Sequence, residues 1–146
     1  MTDSIVQALE DQVGCYRRLA KLAELQHSHV QQNQTEALLD VLRNRQTLLE
    51  QISALESLIA PAKSEWSSFV LRMDPAGRAR AESLLAETRS LLEQITAADQ
   101  QDALILQQRK LNLGRQINQA AAARQVNRSY AAAAYGPRPP RMNVQR

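Results

Sequence analysis

Apolar residues recur along the start of the chain at alternating spacings of three and four: Val6, Leu9, Val13, Tyr16, Ala20, Ala23, His27 and Val30. This is the seam of an amphipathic helix held for about four heptads. It predicts a helix over about 4–32, started at Thr2, Asp3 or Ser4, any of which can cap, and weakened only modestly by Gly14. A polar stretch, Gln31-Gln32-Asn33-Gln34-Thr35, then breaks the pattern. Asn33 or Thr35 is suited to cap a second helix over about 35–60. Its broad apolar face carries Leu38, Val41, Leu42, Leu48, Leu49, Ile52, Leu55 and Ile59. Pro61 disfavours helical geometry at the residue before it and predicts the end of that helix. A break this short folds the two helices into an antiparallel hairpin, the alternative being one long continuous helix.

Between Pro61 and Pro75 a short helix, about 62–73, sets Trp66 and Phe69 on one face at i, i+3. These aromatics either close one end of the hairpin or form a partner-binding hot spot. Asp74-Pro75 reads as an N-cap followed by proline at the first helical position. The pattern then runs through Leu84, Leu85, Leu91, Leu92, Ile95, Ala98 and Ile105 to Leu106, Leu113 and Ile117, predicting a helix over about 75–126. Thr88, Asp102 and Arg109 interrupt this seam, so its packing is expected to loosen toward the end. Leu48-Leu49-Glu50-Gln51-Ile52 recurs as Leu91-Leu92-Glu93-Gln94-Ile95. If this is more than chance in a Leu-rich chain, the second and last long helices present equivalent faces. The expected fold is all-α: an elongated antiparallel helical hairpin or bundle of about three long helices with a short connecting helix, spanning 1–126. Residues 127–146, rich in Ala, Pro and Arg and without apolar periodicity, read as a flexible basic tail.

Composition agrees with this class. Ala, Leu, Gln, Arg and Glu dominate, with only four Gly and five aromatic residues. That excludes a β-sandwich or a doubly wound α/β domain, which need Gly-rich turns and Val/Ile-rich strands, and it favours a thin Leu/Ala seam over a thick core. The net charge of +3 hides a split. All fifteen acids lie between Asp3 and Asp102, against ten cations there, whereas eight Lys/Arg and no acid follow from Ala103 onward. Such asymmetry marks a body plus a segment with a different job. The lone Cys15 fits a reducing compartment. Acids stand where a signal peptide would be basic or apolar, and no apolar run could span a bilayer, so a cytoplasmic protein is expected.

Catalytic or metal chemistry finds little footing, and neither an enzyme nor a cofactor is expected. His27 and His29, two apart on a helix, point to faces about 200° apart and cannot share a metal. His27 falls on the seam as a tolerated polar position, and His29 reads as solvent-facing. Cys15 lacks a His base in any motif context. The glycines are isolated, so no phosphate loop exists. Asp99 and Asp102 could form an acid pair, but surface charge is the favoured reading. The basic C-terminal third admits three uses besides a solvated tail. Nucleic-acid binding would use Arg109, Lys110, Arg115, Arg124 and Arg128 on phosphates, although Leu and Ala dilute them and no recognised module is present. A membrane-surface helix would lack Trp or Phe beside its cations. Helix-on-helix recognition of another protein would use Leu106, Leu113 and Ile117 as anchors, with Tyr130 and Tyr135 adding amphipathic contacts.

Three stretches resemble the FlgN family of flagellar type III export chaperones. The helix from Ile5 to Val30 has the length and position of the family's first helix. The run Asn33-Gln34-Thr35-Glu36-Ala37-Leu38-Leu39 through Arg45-Gln46-Thr47-Leu48-Leu49-Glu50-Gln51-Ile52-Ser53-Ala54-Leu55-Glu56 is similar to its second, a polar turn before Leu-rich heptads. Ala134-Tyr135-Gly136-Pro137 resembles the Tyr-Gly element that often closes these proteins, although Arg138-Pro139-Pro140 stands where a further glycine often follows. The resemblance implies a cytoplasmic chaperone that holds helical terminal segments of hook–filament junction proteins, prevents their premature assembly and delivers them to the export apparatus, possible further partners being export-gate or ATPase components. It also implies that the C-terminal part carries much of the binding. The residues expected to do so are Ile105, Leu106, Leu113 and Ile117 as an apolar stripe, Arg109, Arg115 and Arg124 as steering charges, and Tyr130 and Tyr135. Alternatives are a coiled-coil stalk of the flagellar export ATPase, usually richer in charge, and a basic helical nucleic-acid-associated protein.

Overall fold

Four helices, α1 (Thr2–Gln31), α2 (Thr35–Ser64), α3 (Trp66–Leu71) and α4 (Pro75–Tyr135), make the protein all-α, with no strand among the described residues. The structure is a computed structural model describing residues 2–135, without the side chains of Thr2, Ala134 and Tyr135; residues 136–146, and with them most of the expected tail, lie outside it. The chain divides into two compact units between Ile105 and Leu106, earlier than the 126/127 boundary read from composition. Each unit is described by itself.

In the first unit, α1 runs antiparallel to α2 and parallel to α4. Hydrogen bonds give the directions: Gln12 reaches Glu56 and Arg45 reaches Gln26, whereas Arg80 meets Glu10 and Arg17 meets Glu87. Two apolar clusters fill the interior. Ala8, Leu9, Val13, Ile59, Ala81 and Leu84 form one, and Cys15, Leu19, Ala23, Leu48, Ile52 and Ile95 the other. Because α1 has neighbours on two sides, it buries a wider arc than the expected seam. Ala8, Gln12, Cys15, Leu19 and Gln26 are buried alongside Leu9, Val13, Ala23 and Val30. The two echoed pentapeptides match in the structure. Ile52 and Ile95 are buried, and Leu49 and Leu92 are exposed at the corresponding positions.

The α1–α2 turn corrects one assignment. Asn33 caps nothing in α2; it ends α1, at φ 57°. Gln34 N–H bonds His29 C=O and Asn33 N–H bonds Val30 C=O, the pair of a Schellman motif with Asn33 in the left-handed position that Asn, after Gly, tolerates best. Gln34 is the N-cap of α2 and makes no side-chain cap bond. A second correction concerns Pro61, which lies inside α2; the helix continues to Ser64. Proline there removes a single hydrogen bond close to the helix end, and fully buried Ile59 anchors the turn before it. The Lys63–Glu56 ion pair at 3.0 Å holds the turn after it. In α3, Phe69 is buried and stacks at 5.4 Å on half-buried Trp66. Trp66 packs against the first cluster, so the aromatics close that end of the bundle. Asp74 caps α4 as expected. Its carboxylate accepts Gly77 N–H at 2.8 Å, and a Cβ at Gly77 would sit only 2.7 Å from that oxygen, so glycine keeps the cap open.

The second unit, as far as it is described, is the remainder of α4. The helix reaches Tyr135 where an end near Val126 and a flexible tail were expected. No proline intervenes before Pro137, and Ala, the strongest helix former, fills positions 131–134.

Candidate partner-binding helix

The core stripe of α4 comes from heptad positions Ala81, Leu84, Thr88, Leu91, Ile95, Ala98, Asp102 and Ile105, all buried or half-buried. Continued at the same spacing it meets Arg109, Asn112, Gln116 and Gln119, none of which could sustain an apolar core. The large apolar residues of the second unit stand elsewhere. Leu106, Leu113 and Ile117 are 45%, 57% and 58% exposed, and at 3.6 residues per turn they fall within about 40° of one another. From residue 106 to 133 every side chain is exposed except that of Arg109, which is half-covered. Five cations and no acid accompany the stripe over residues 106–135.

The structure brings some of the expected site residues together and separates others. Arg124 lies in line with Leu106, Leu113 and Ile117, and Arg109 and Lys110 flank them within about 60°. Arg115 projects from the opposite side of the helix, about 180° away, near exposed Leu111. Ile105 belongs to the first unit and is half-buried at the end of its core stripe. Tyr130 is exposed but about 120° off the stripe. The side chain of Tyr135 lies outside the described residues. The assembled surface is therefore an apolar line with a cation on either flank and one at its far end.

Just before it lies a polar layer that the sequence did not reveal. Asp99 and Asp102, read as surface charge, are not free surface carboxylates. Asp102 is 2% exposed, accepts the Gln26 amide at 3.0 Å and pairs with His27 Nδ1 at 2.6 Å. Asp99 takes both terminal nitrogens of Arg45, each at 2.8 Å. That bidentate pair lifts the Arg45 guanidinium above its ordinary pKa, more than burial lowers it. Arg45 also donates to the Gln26 oxygen, closing a network across α1, α2 and α4. Heptad position 102 forces the carboxylate inward, and its partners lie more than seventy residues away, beyond any local spacing rule. His29, read as solvent-facing, is half-buried and meets Gln34 Oε1 at 2.7 Å in the turn. Both carboxylates of the layer are thus engaged by side chains from other helices.

No group of three or more His, Cys, Asp or Glu among the described residues is placed to hold a metal ion, and no helix there is long and apolar enough to cross a membrane. No protein-family model, curated protein or solved structure matches the chain.

Proposed function

We propose that the protein is a cytoplasmic export chaperone of the FlgN type, holding helical terminal segments of flagellar hook–filament junction proteins until they are delivered for export. The observation that carries this reading is the exposed line Leu106–Leu113–Ile117 on the acid-free stretch of α4 that follows Asp102. An amphipathic client helix laid along the line covers its own apolar face and these three anchors at once. Arg109, Lys110 and Arg124 then border the docked helix, where they draw in acidic clients and raise the rate of encounter more than the final affinity. The three stretches resembling the FlgN family supply the identity of the client; the helix surface supports only its class.

Replacing Leu113 and Ile117 together by Asp tests the assignment. Both side chains point to solvent, so helix content and melting temperature should hold while co-purification with a junction protein is lost; retained binding overturns the proposal. The wild-type complex should also survive added salt. Binding that instead collapses steeply with salt would identify phosphate contacts and a nucleic-acid partner.

A further inference from the structure

The charges of α1 divide by direction. Those facing α4 are satisfied within the chain: Glu10 pairs with Arg80 at 3.0 Å and Arg17 with Glu87 at 2.6 Å. The adjacent exposed face, centred about 70° further round the helix, repeats every three or four residues as Gln7, Asp11, Gly14, Arg18, Lys21 and Leu25. Here Arg18 and Lys21 have no ion-pair partner among the described residues. Asp11 accepts only the Gln7 amide, at 2.9 Å. Leu25 is exposed as well. Beside this face α1 and α2 leave an open groove from Glu10 to Lys21, floored by Cys15, Leu22, Leu48 and Leu55. Its α2 wall, Asn44, Thr47, Gln51 and Ala54, is uncharged.

We propose that a second copy of this chain fills the groove, the two α1 helices packing antiparallel about a two-fold axis between residues 14 and 15. The charge pattern selects this occupant because it is complementary to itself. Asp11 and Arg18 are equally far from that axis, so Asp11 of each protomer faces Arg18 of the partner subunit, giving two identical ion pairs as an isologous interface requires. Acids precede Gly14 at Asp3, Glu10 and Asp11, and cations follow it at Arg17, Arg18 and Lys21. A parallel pair would therefore set like charge against like, whereas the antiparallel pair also opposes the two helix dipoles favourably. Gly14 stands beside the axis. A Cβ built there meets nothing nearer than the Arg18 guanidinium at 3.9 Å, so the chain itself leaves that space unfilled and two backbones can approach closely across it. Residues 106–135 are less suited to a contact between copies, since their five cations without an acid repel their own image.

Sedimentation of the full-length protein tests this independently of any client. The wild type should form a concentration-dependent dimer. Asp11→Arg and Arg18→Asp should each weaken it by about tenfold or more, and the combined swap, which rebuilds both pairs reversed, should restore it. Gly14→Gln should give a monomer whose helix content and melting temperature are no lower than wild type, because glycine is the poorer helix former and the space is open. A wild type that stays monomeric at every concentration, or a dimer indifferent to both charge reversals, overturns the proposal.

Discussion

At Asp102 the heptad of α4 calls for an apolar side chain and finds a carboxylate, which the fold accommodates by surrounding it with Gln26 and His27. A buried charge held this way contributes specificity more than stability, but removing it strands its partners. Asp102→Ala should lower unfolding free energy by about 1–3 kcal/mol by leaving the buried Gln26 amide without its acceptor, as measured by urea titration, whereas Asp99→Ala, at a half-exposed site, should cost less. This residue also marks where sequence reading stops. The interruption of the seam at Asp102 is legible, and so is the i, i+3 spacing to Asp99. That both are engaged is not, because Arg45, Gln26 and His27 approach from other helices and none carries a local signature.

At the scale of elements, periodicity finds the three long helices and the bracketing prolines find the short one, though it spans Trp66–Leu71 rather than 62–73. Asp74-Pro75 is legible to the residue because its capping chemistry is local. The errors fall where a second influence, tertiary or local, competes with the rule applied. Pro61 ought to end α2, yet buried Ile59 and the Glu56–Lys63 pair carry the helix past it. Asn33 has the right chemistry for an N-cap, but the Schellman bonds of the preceding helix claim it first. The same region gives α2 a pH dependence. Burial raises the Glu56 carboxyl, but hydrogen bonds from Gln12 and Lys63 outweigh it and hold the group below its ordinary value of 4.5. A depressed folded value means that the contribution is complete above about pH 4.5 and is lost as pH falls through the lower folded value. Thermal melts of Glu56→Gln should therefore show a shallower acid limb than wild type, with the difference vanishing at the lowest pH.

Over the whole molecule, α4 is one helix with two kinds of surface. Residues 81–102 bury a stripe in the first unit, and residues 106–133 bury almost nothing. Helical stability in water comes mostly from such burial. Amide exchange should therefore be slow at Leu84, Leu91 and Ile95 and faster by orders of magnitude around Leu113 and Ile117. The sequence shows this division as a reversal of charge after Asp102 and a polar drift of the heptad, within a few residues of where the core ends. The domain boundary read at 126/127 follows the Ala-rich continuation of the helix instead. The polar run Arg109, Asn112, Gln116 and Gln119 has one more consequence. Leu9, Ile59 and Leu84 all pack within the first unit, so rewriting exposed positions of residues 106–133 should leave the melting temperature set by that core unchanged.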